Sequence, residues 1–132
     1  MKPVVLFFIC FLSSWVCTAQ TQLEMNVEAY NAYMRADSQL NTVYNKILAE
    51  YRENKSFITH LKKAQRAWIN FRDAEVNAKY PPEERPYYGS VFPVCHSIYL
   101  QQLTEIRIND LNVWLTGIEE GDACLGSVKM KE

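Results

Sequence analysis

The stretch Lys63-Ala64-Gln65-Arg66-Ala67-Trp68-Ile69-Asn70-Phe71-Arg72-Asp73-Ala74-Glu75 decides the fold. It holds no Gly or Pro and is mostly good helix formers, so it reads as the middle of a long helix. Leu61, Ala64, Trp68 and Phe71 fall on one face at three- and four-residue steps, and that stripe predicts the core side. Gln65, Arg72 and Glu75 run beside it. An amide and a guanidinium at the edge of a core require partners, and the flanking segments supply candidates.

Upstream, Gln22 to Glu53 also lacks Gly and Pro. Met25, Ala29, Ala32, Ala36, Leu40, Val43, Ile47 and Tyr51 recur at helical spacing, which predicts an amphipathic first helix. Thr21 with Glu24 forms a candidate capping box. Asp37, Asn41 and Tyr44 make a polar stripe beside the apolar one. Asn54-Lys55-Ser56 breaks the pattern, with Ser56 the expected cap of a helix from Phe57 to Ala78. Tyr80-Pro81 ends that helix.

Tyr80 to Phe92 reads as the one substantial loop, since four of the five prolines lie in or just past it. A third helix follows, starting at Ser90 or at Phe92-Pro93. Ile98, Leu103, Ile106, Leu111, Trp114 and Leu115 are its expected apolar face, and Gly117 its stop. Residues 121–132 read as a flexible tail. Three helices joined by a tight turn and a longer loop predict an all-α, antiparallel three-helix bundle over residues 20–120.

Residues 1–19 stand apart. Lys2 precedes an unbroken apolar run from Val4 to Leu12, too short to span a bilayer. Cys17-Thr18-Ala19 offers small residues before a cut at Gln20, so the segment reads as a secretory signal peptide. No stable membrane span is expected once it is removed. Acylation at Cys17 would make a lipoprotein instead, but Val16 sits where such a signal wants a small residue. Export points to the periplasm or the exterior.

The chain has 132 residues, 48% apolar and 22% charged, with a net charge of −1. That balance fits one globular domain and offers no basic footprint for nucleic acid. Loss of Lys2 leaves 13 basic against 15 acidic side chains. Of four cysteines, Cys10 and Cys17 leave with the signal. Cys95 and Cys124 would by default pair in an oxidising compartment. A helix from Cys95 to Gly117 is about 33 Å long. The seven residues that follow reach back only about 25 Å, so an intrachain bridge needs a later helix start.

If the first two helices fold back about Asn54-Lys55, Asp37 faces Arg72, Asn41 faces Trp68 and Tyr44 faces Gln65. A similar fold-back across the longer loop places Arg107 opposite Gln65 and Thr104 opposite Trp68. These eight residues form a candidate polar network, since buried charges are tolerated when paired. Fixing helix register is its first reading and ligand recognition its second.

Catalytic chemistry finds little support. His60 lacks metal-ligand spacing. Cys95 and His96 are sequence neighbours that point apart on a helix. Glu83-Glu84 and Glu119-Glu120 read as solvated charge, and no Gly-rich phosphate loop occurs. No catalytic, cofactor or metal residue is expected, and no enzyme.

Several segments together resemble one family, the LprI-type lysozyme-inhibitor domain of small exported bacterial proteins. They are Met25-Asn26, Ala36-Asp37 with Leu40-Asn41 and Tyr44, Ala64 to Glu75, Gly89-Ser90, and Leu103-Thr104 with Arg107. The resemblance covers residues 22–115. It implies a helical exported domain that binds and blocks lysozyme without catalysis. The family's usual cysteine positions hold Val27, Val76 and Tyr99 here, which implies apolar packing in place of its disulfides. A lysozyme is typically basic, so the loop is the expected contact. Glu83 and Glu84 would meet a basic rim, with Tyr87 and Tyr88 as anchors beside Gly89-Ser90. The same loop also reads as a Pro-stiffened connector. The competing function is an envelope structural or adaptor protein that binds another protein or itself.

Overall fold

The computed structural model describes residues 21–131. The segment expected to be a signal peptide, its expected cleavage point and Cys17 lie outside the described residues. Within them the chain is all-helical, with no strand beyond one isolated bridge.

Helix α1 spans Gln22–Glu50. Thr21 Oγ1 accepts from the Glu24 amide at 3.2 Å, and Glu24 Oε2 accepts from the Thr21 amide at 2.8 Å. This reciprocal pair satisfies two N-terminal donors. Ala29, Ala36, Leu40, Val43 and Ile47 are all buried, as the spacing predicts. The alanines let α1 lie close along the last long helix, the most extensive contact between elements.

Helix α2 spans Lys55–Lys79. Asn54, not Ser56, caps it, its Oδ1 accepting from the Phe57 amide at 3.0 Å. Asn is as strong a cap as Ser, and using it adds two residues to the helix. Tyr80 closes the helix before Pro81. The buried face differs from the apolar stripe of the sequence. Leu61, Gln65 and Val76 are buried, with Trp68 and Arg72 partly so, whereas Ala64 is exposed and Phe71 is 54% exposed. The helix is turned so that Gln65 and Arg72 point inward, where both find partners.

Residues 80–91 are not an irregular loop. Pro82–Glu84 forms a 3-10 turn, Arg85–Tyr88 the short helix α3, and Gly89–Val91 a second 3-10 turn. Each proline sits in a first turn or just before one, where its missing N–H costs nothing. Gly89 has φ +63° and ψ −150°, a conformation strained for any residue with a Cβ.

Helix α4 spans Phe92–Thr116. Phe92, Ser97, Thr104, Ile108 and Leu111 are buried, while Ile98 and Ile106, expected inside, are 41% and 57% exposed. Thr104 is fully buried because its hydroxyl donates to the Leu100 carbonyl at 2.7 Å. Leu40, Val43, Ile47, Leu61, Ile108 and Leu111 form the centre of the core, flanked by Tyr44, Tyr51, Phe57, Trp68 and Trp114. Cys95 and Cys124 are both free.

Where composition points to a flexible tail, the chain folds back. Ile118 and Met130 form the bridge, with the Ile118 amide donating to Lys129 O and the Lys131 amide to Ile118 O, both at 2.9 Å. A Cβ on Gly117 would stand 3.0 Å from the Lys129 carbonyl oxygen, so the glycine permits this approach. Tyr51 holds the clasp. Its hydroxyl donates to Trp114 O at 2.8 Å and accepts from the Lys129 amide at 3.1 Å. Trp114 Nε1 donates to Ser127 Oγ at 3.0 Å. One hydroxyl thus serves two backbone groups, and Tyr51→Phe is expected to cost about 1–3 kcal/mol in urea unfolding. Faster hydrogen exchange at the Lys129 amide should accompany it. An unchanged exchange rate would mean that the clasp closes without Tyr51.

Candidate functional site

The polar residues of α1, α2 and α4 meet in two groups. Arg72 Nη1 donates to Asp37 Oδ1 at 3.4 Å, a long contact, while its Nε and Nη2 hold Asp73 Oδ1 at 2.9 and 2.8 Å. Asn41 Nδ2 donates to the other Asp37 oxygen at 3.2 Å. In the second group, Arg107 Nε donates to Gln65 Oε1 at 3.1 Å across α4 and α2. Gln65 is 7% exposed, and burial lowers the pKa of Arg107 from its ordinary value.

Trp68 joins the two groups. The Arg72 guanidinium carbon lies 5.4 Å from its ring centroid and that of Arg107 lies 5.9 Å from it. Arg72 also lies 6.0 Å from the Tyr33 ring, whose pKa burial raises. The indole face thus receives two cations in a partly dry setting, where such contacts are strongest. Tyr44, half-buried, lines a hollow with Asn41 and Gln65 but has no hydrogen bond to either among the described residues. Thr104 bonds within its own helix and stands outside the network. Among the described residues, no fully buried side-chain polar atom lacks a partner. The cross-helix bonds of this set are those from Arg72 to Asp37 and from Arg107 to Gln65.

One neighbouring pair escaped the sequence. Tyr99 donates to Glu75 Oε1 at 3.0 Å, a bond that raises the tyrosine pKa, and Lys79 Nζ lies 3.7 Å from the Tyr99 ring. Glu75, in the distinctive α2 segment, was the available hint. At the three positions where the resemblance implies cysteines, Val76 packs in the core, but Tyr99 takes this polar bond and Val27 is 50% exposed, so apolar packing, expected at all three, holds for Val76 alone.

The segment after α2 presents its residues unequally. Tyr87 is 86% exposed. Tyr88 instead turns inward, its ring 5.7 Å from Tyr80 and 6.1 Å from Phe92, and its hydroxyl donates to Glu84 Oε2 at 3.0 Å. That bond pushes the Tyr88 pKa up. Glu83, Glu84, Gly89 and Ser90 are exposed. The outward chemistry is therefore one tyrosine, two carboxylates and a Gly-Ser step.

His96 sits where this segment joins α4. Burial first, then the Arg85 charge, lowers its pKa from 6.5. A histidine depressed in the folded state takes up its proton more readily when unfolded. Its contribution is therefore neutral above the unfolded pKa and destabilising as pH falls through and below it. Melting between about pH 7.5 and about pH 5 should be less pH-dependent in His96→Gln than in the native chain. Parallel profiles would show that His96 carries none of the acid sensitivity.

Among the described residues no group of three His, Cys, Asp or Glu side chains could hold a metal ion, and no helix is long and apolar enough to cross a membrane.

A family model described as lysozyme inhibitor LprI matches residues 17–111. That span contains the eight residues of the candidate polar network, the segment after α2 and Tyr51, and stops short of the other residues of the clasp. An uncharacterized protein of Rhizobium meliloti (strain 1021) is 31% identical over 113 residues, covering 76% of this chain and 78% of the relative. No solved structure matches the chain.

Proposed function

Because the chain belongs to the LprI lysozyme-inhibitor family, we propose that it binds and blocks a lysozyme without catalysis. It acts as an exported envelope protein, periplasmic or secreted, after loss of residues 1–19. Residues 20–120 form the binding domain, an antiparallel three-helix bundle whose register the Trp68 network holds. The family match carries this reading. The segment after α2 supports the contact, since it combines the very exposed Tyr87 with Glu83 and Glu84. Buried aromatics anchor interfaces, and complementary charge speeds encounter with a basic partner.

The test is a cell-wall lysis assay with the chain from Gln20 onward and lysozymes of several classes. Stoichiometric inhibition of at least one is expected. No inhibition at micromolar protein would remove the reading.

A second reading, an adaptor that binds another envelope protein or itself, is favoured by one observation. Leu23, Val27, Tyr30 and Met34 lie along one side of α1 and are 71%, 50%, 53% and 42% exposed. Self-association that Val27→Glu abolishes, without loss of lysozyme inhibition, would separate the two.

A further inference from the structure

Where α3 meets the start of α4, a hollow of about 350 Å³ is lined by Arg85, Gly89, Phe92, Pro93, His96 and Ser97. We infer that this hollow binds the terminal carboxylate of a short peptide, with Arg85, His96 and Ser97 as its polar contacts and Phe92 and Pro93 as its apolar walls.

The charge is one-sided. No acidic residue lines the hollow, and Arg85 has no ion pair among the described residues. Its guanidinium carbon instead rests 4.8 Å from the Phe92 ring centroid, leaving its donors for a ligand. His96 stands one turn further along α4, its ring 5.4 Å from that of Phe92. The hollow also sits at the first turn of a 25-residue helix that no side chain caps. The Phe92 amide there already donates to the Gly89 carbonyl and Pro93 has no N–H, so it is the positive dipole end of the helix that favours an anion.

Ser97 is independent of the helix end. It is only 6% exposed, and its hydroxyl has no hydrogen-bond partner among the described residues. No fully buried side-chain polar atom among the described residues is left unpaired, so this hydroxyl keeps some accessible surface, and its residue lines the hollow. A buried hydroxyl facing a cavity that also holds a free guanidinium is a ready contact for an oxygen ligand.

Charge and size select the ligand class. With His96 lowered from 6.5, the site carries one full positive charge at neutral pH, from Arg85. That matches a monoanionic carboxylate better than a dianionic phosphate, and the planar guanidinium fits a carboxylate's two oxygens. The volume falls at the small end of ligand pockets, about 300–1,000 Å³, and exceeds the needs of a bare ion. The apolar walls suit a small side chain next to the carboxylate.

This inference does not require lysozyme binding, so its test uses no lysozyme. The probes are N-acetyl-alanyl-alanine, its C-terminal amide, acetate and inorganic phosphate. The readouts are calorimetry and the imidazole NMR signal of His96. Facing His96 are Arg85 from α3 and, across a second hollow, Tyr33 from α1 with Asp73 and Asn77 from α2. The dipeptide acid should bind, shift the His96 signal and raise its pKa, because an anion beside the ring favours the protonated form. The amide should do none of this. Arg85→Gln should weaken the acid at least about tenfold and Ser97→Ala a few-fold. Circular dichroism serves as the folding control. Equal behaviour of acid and amide, or a silent His96, would overturn the assignment. Acetate binding as tightly as the dipeptide would make it a site for free small acids and refute the peptide terminus. Tighter binding of phosphate would refute the carboxylate.

Discussion

A chain carrying Glu83→Lys, Glu84→Lys and Tyr87→Ala should lose at least about a hundredfold in lysozyme inhibition while melting within a few degrees of the native chain. The two halves of this expectation rest on different physics. Tyr87 is 86% exposed, so its ring contributes little to the free fold and keeps its apolar area for a partner. An aromatic anchor buried at the centre of an interface is typically worth about 2 kcal/mol or more. Reversing two neighbouring carboxylates opposite a basic partner replaces attraction by repulsion and slows association. The fold should tolerate all three changes, because exposed substitutions usually stay within about 0.5 kcal/mol. One local cost is known in advance, since Glu84→Lys removes the acceptor of the Tyr88 hydroxyl. Glu120→Lys is a distant charge control, carrying half of the triple variant's change in net charge (one Glu→Lys against two). Glu120 is exposed beyond the far end of α4, a helix about 37 Å long, so the net charge changes there without touching the segment. Full inhibition by the triple variant would move the contact off this segment. Equal losses in the triple variant and the control would reduce the effect to net charge.

How far the sequence speaks depends on where a residue finds its partner. The core face of α1 is legible because its inward positions are aliphatic or alanine, so periodicity alone locates Ala29, Ala36, Leu40, Val43 and Ile47. The same rule misplaces the face of α2. Counting apolar residues favours Ala64 and Phe71, but the helix turns Gln65 and Arg72 inward. Gln65 can be buried because Arg107, 42 residues away, donates to it, and periodicity within one helix cannot register that bond. An antiparallel fold-back of the helices does bring out the Asp37–Arg72 and Gln65–Arg107 pairs, the first across a short turn and the second across the longer segment between α2 and α4. It does not show that Thr104 bonds its own helix or that Tyr88 turns inward beside Tyr80. Prolines are ambiguous in a similar way. Between Tyr80 and Phe92 they read as breakers, yet a proline also starts a helical turn, and here prolines open two short ones, Pro82–Glu84 and Arg85–Tyr88. The clasp was hidden because its contacts are mostly to backbone, which carries no sequence signature. Only Gly117, needed for the close approach of the Lys129 carbonyl, hints at it.

Trp68→Ala should cost about 3–5 kcal/mol in urea unfolding, the range for deleting a large buried aromatic. The indole is only partly buried, which pulls the cost toward the lower end. Its two guanidiniums pull it back up. Arg72 and Arg107 lie 5.4 and 5.9 Å from the ring centroid, and each such contact contributes about 0.5–2 kcal/mol. Without the ring, Arg72 keeps Asp37 and Asp73, whereas Arg107 keeps Gln65. The second cation is thus left, in a half-buried place, with a neutral hydrogen-bond partner and the Asp110 charge nearby. A double-mutant cycle of Trp68→Ala with Arg107→Met should therefore show coupling of about 0.5–2 kcal/mol. Trp68→Phe, which retains a face for both cations, should cost less than half of the alanine change. A loss below about 1 kcal/mol for Trp68→Ala would mean that the ring does not tie the helices together. The same variant separates architecture from recognition. A total stability of about 5–15 kcal/mol leaves most molecules folded at low temperature even after this loss. Those folded molecules should still inhibit lysozyme, with activity falling only as the chain melts. Inhibition lost while the chain remains folded would instead place Trp68 and its arginines in the contact itself.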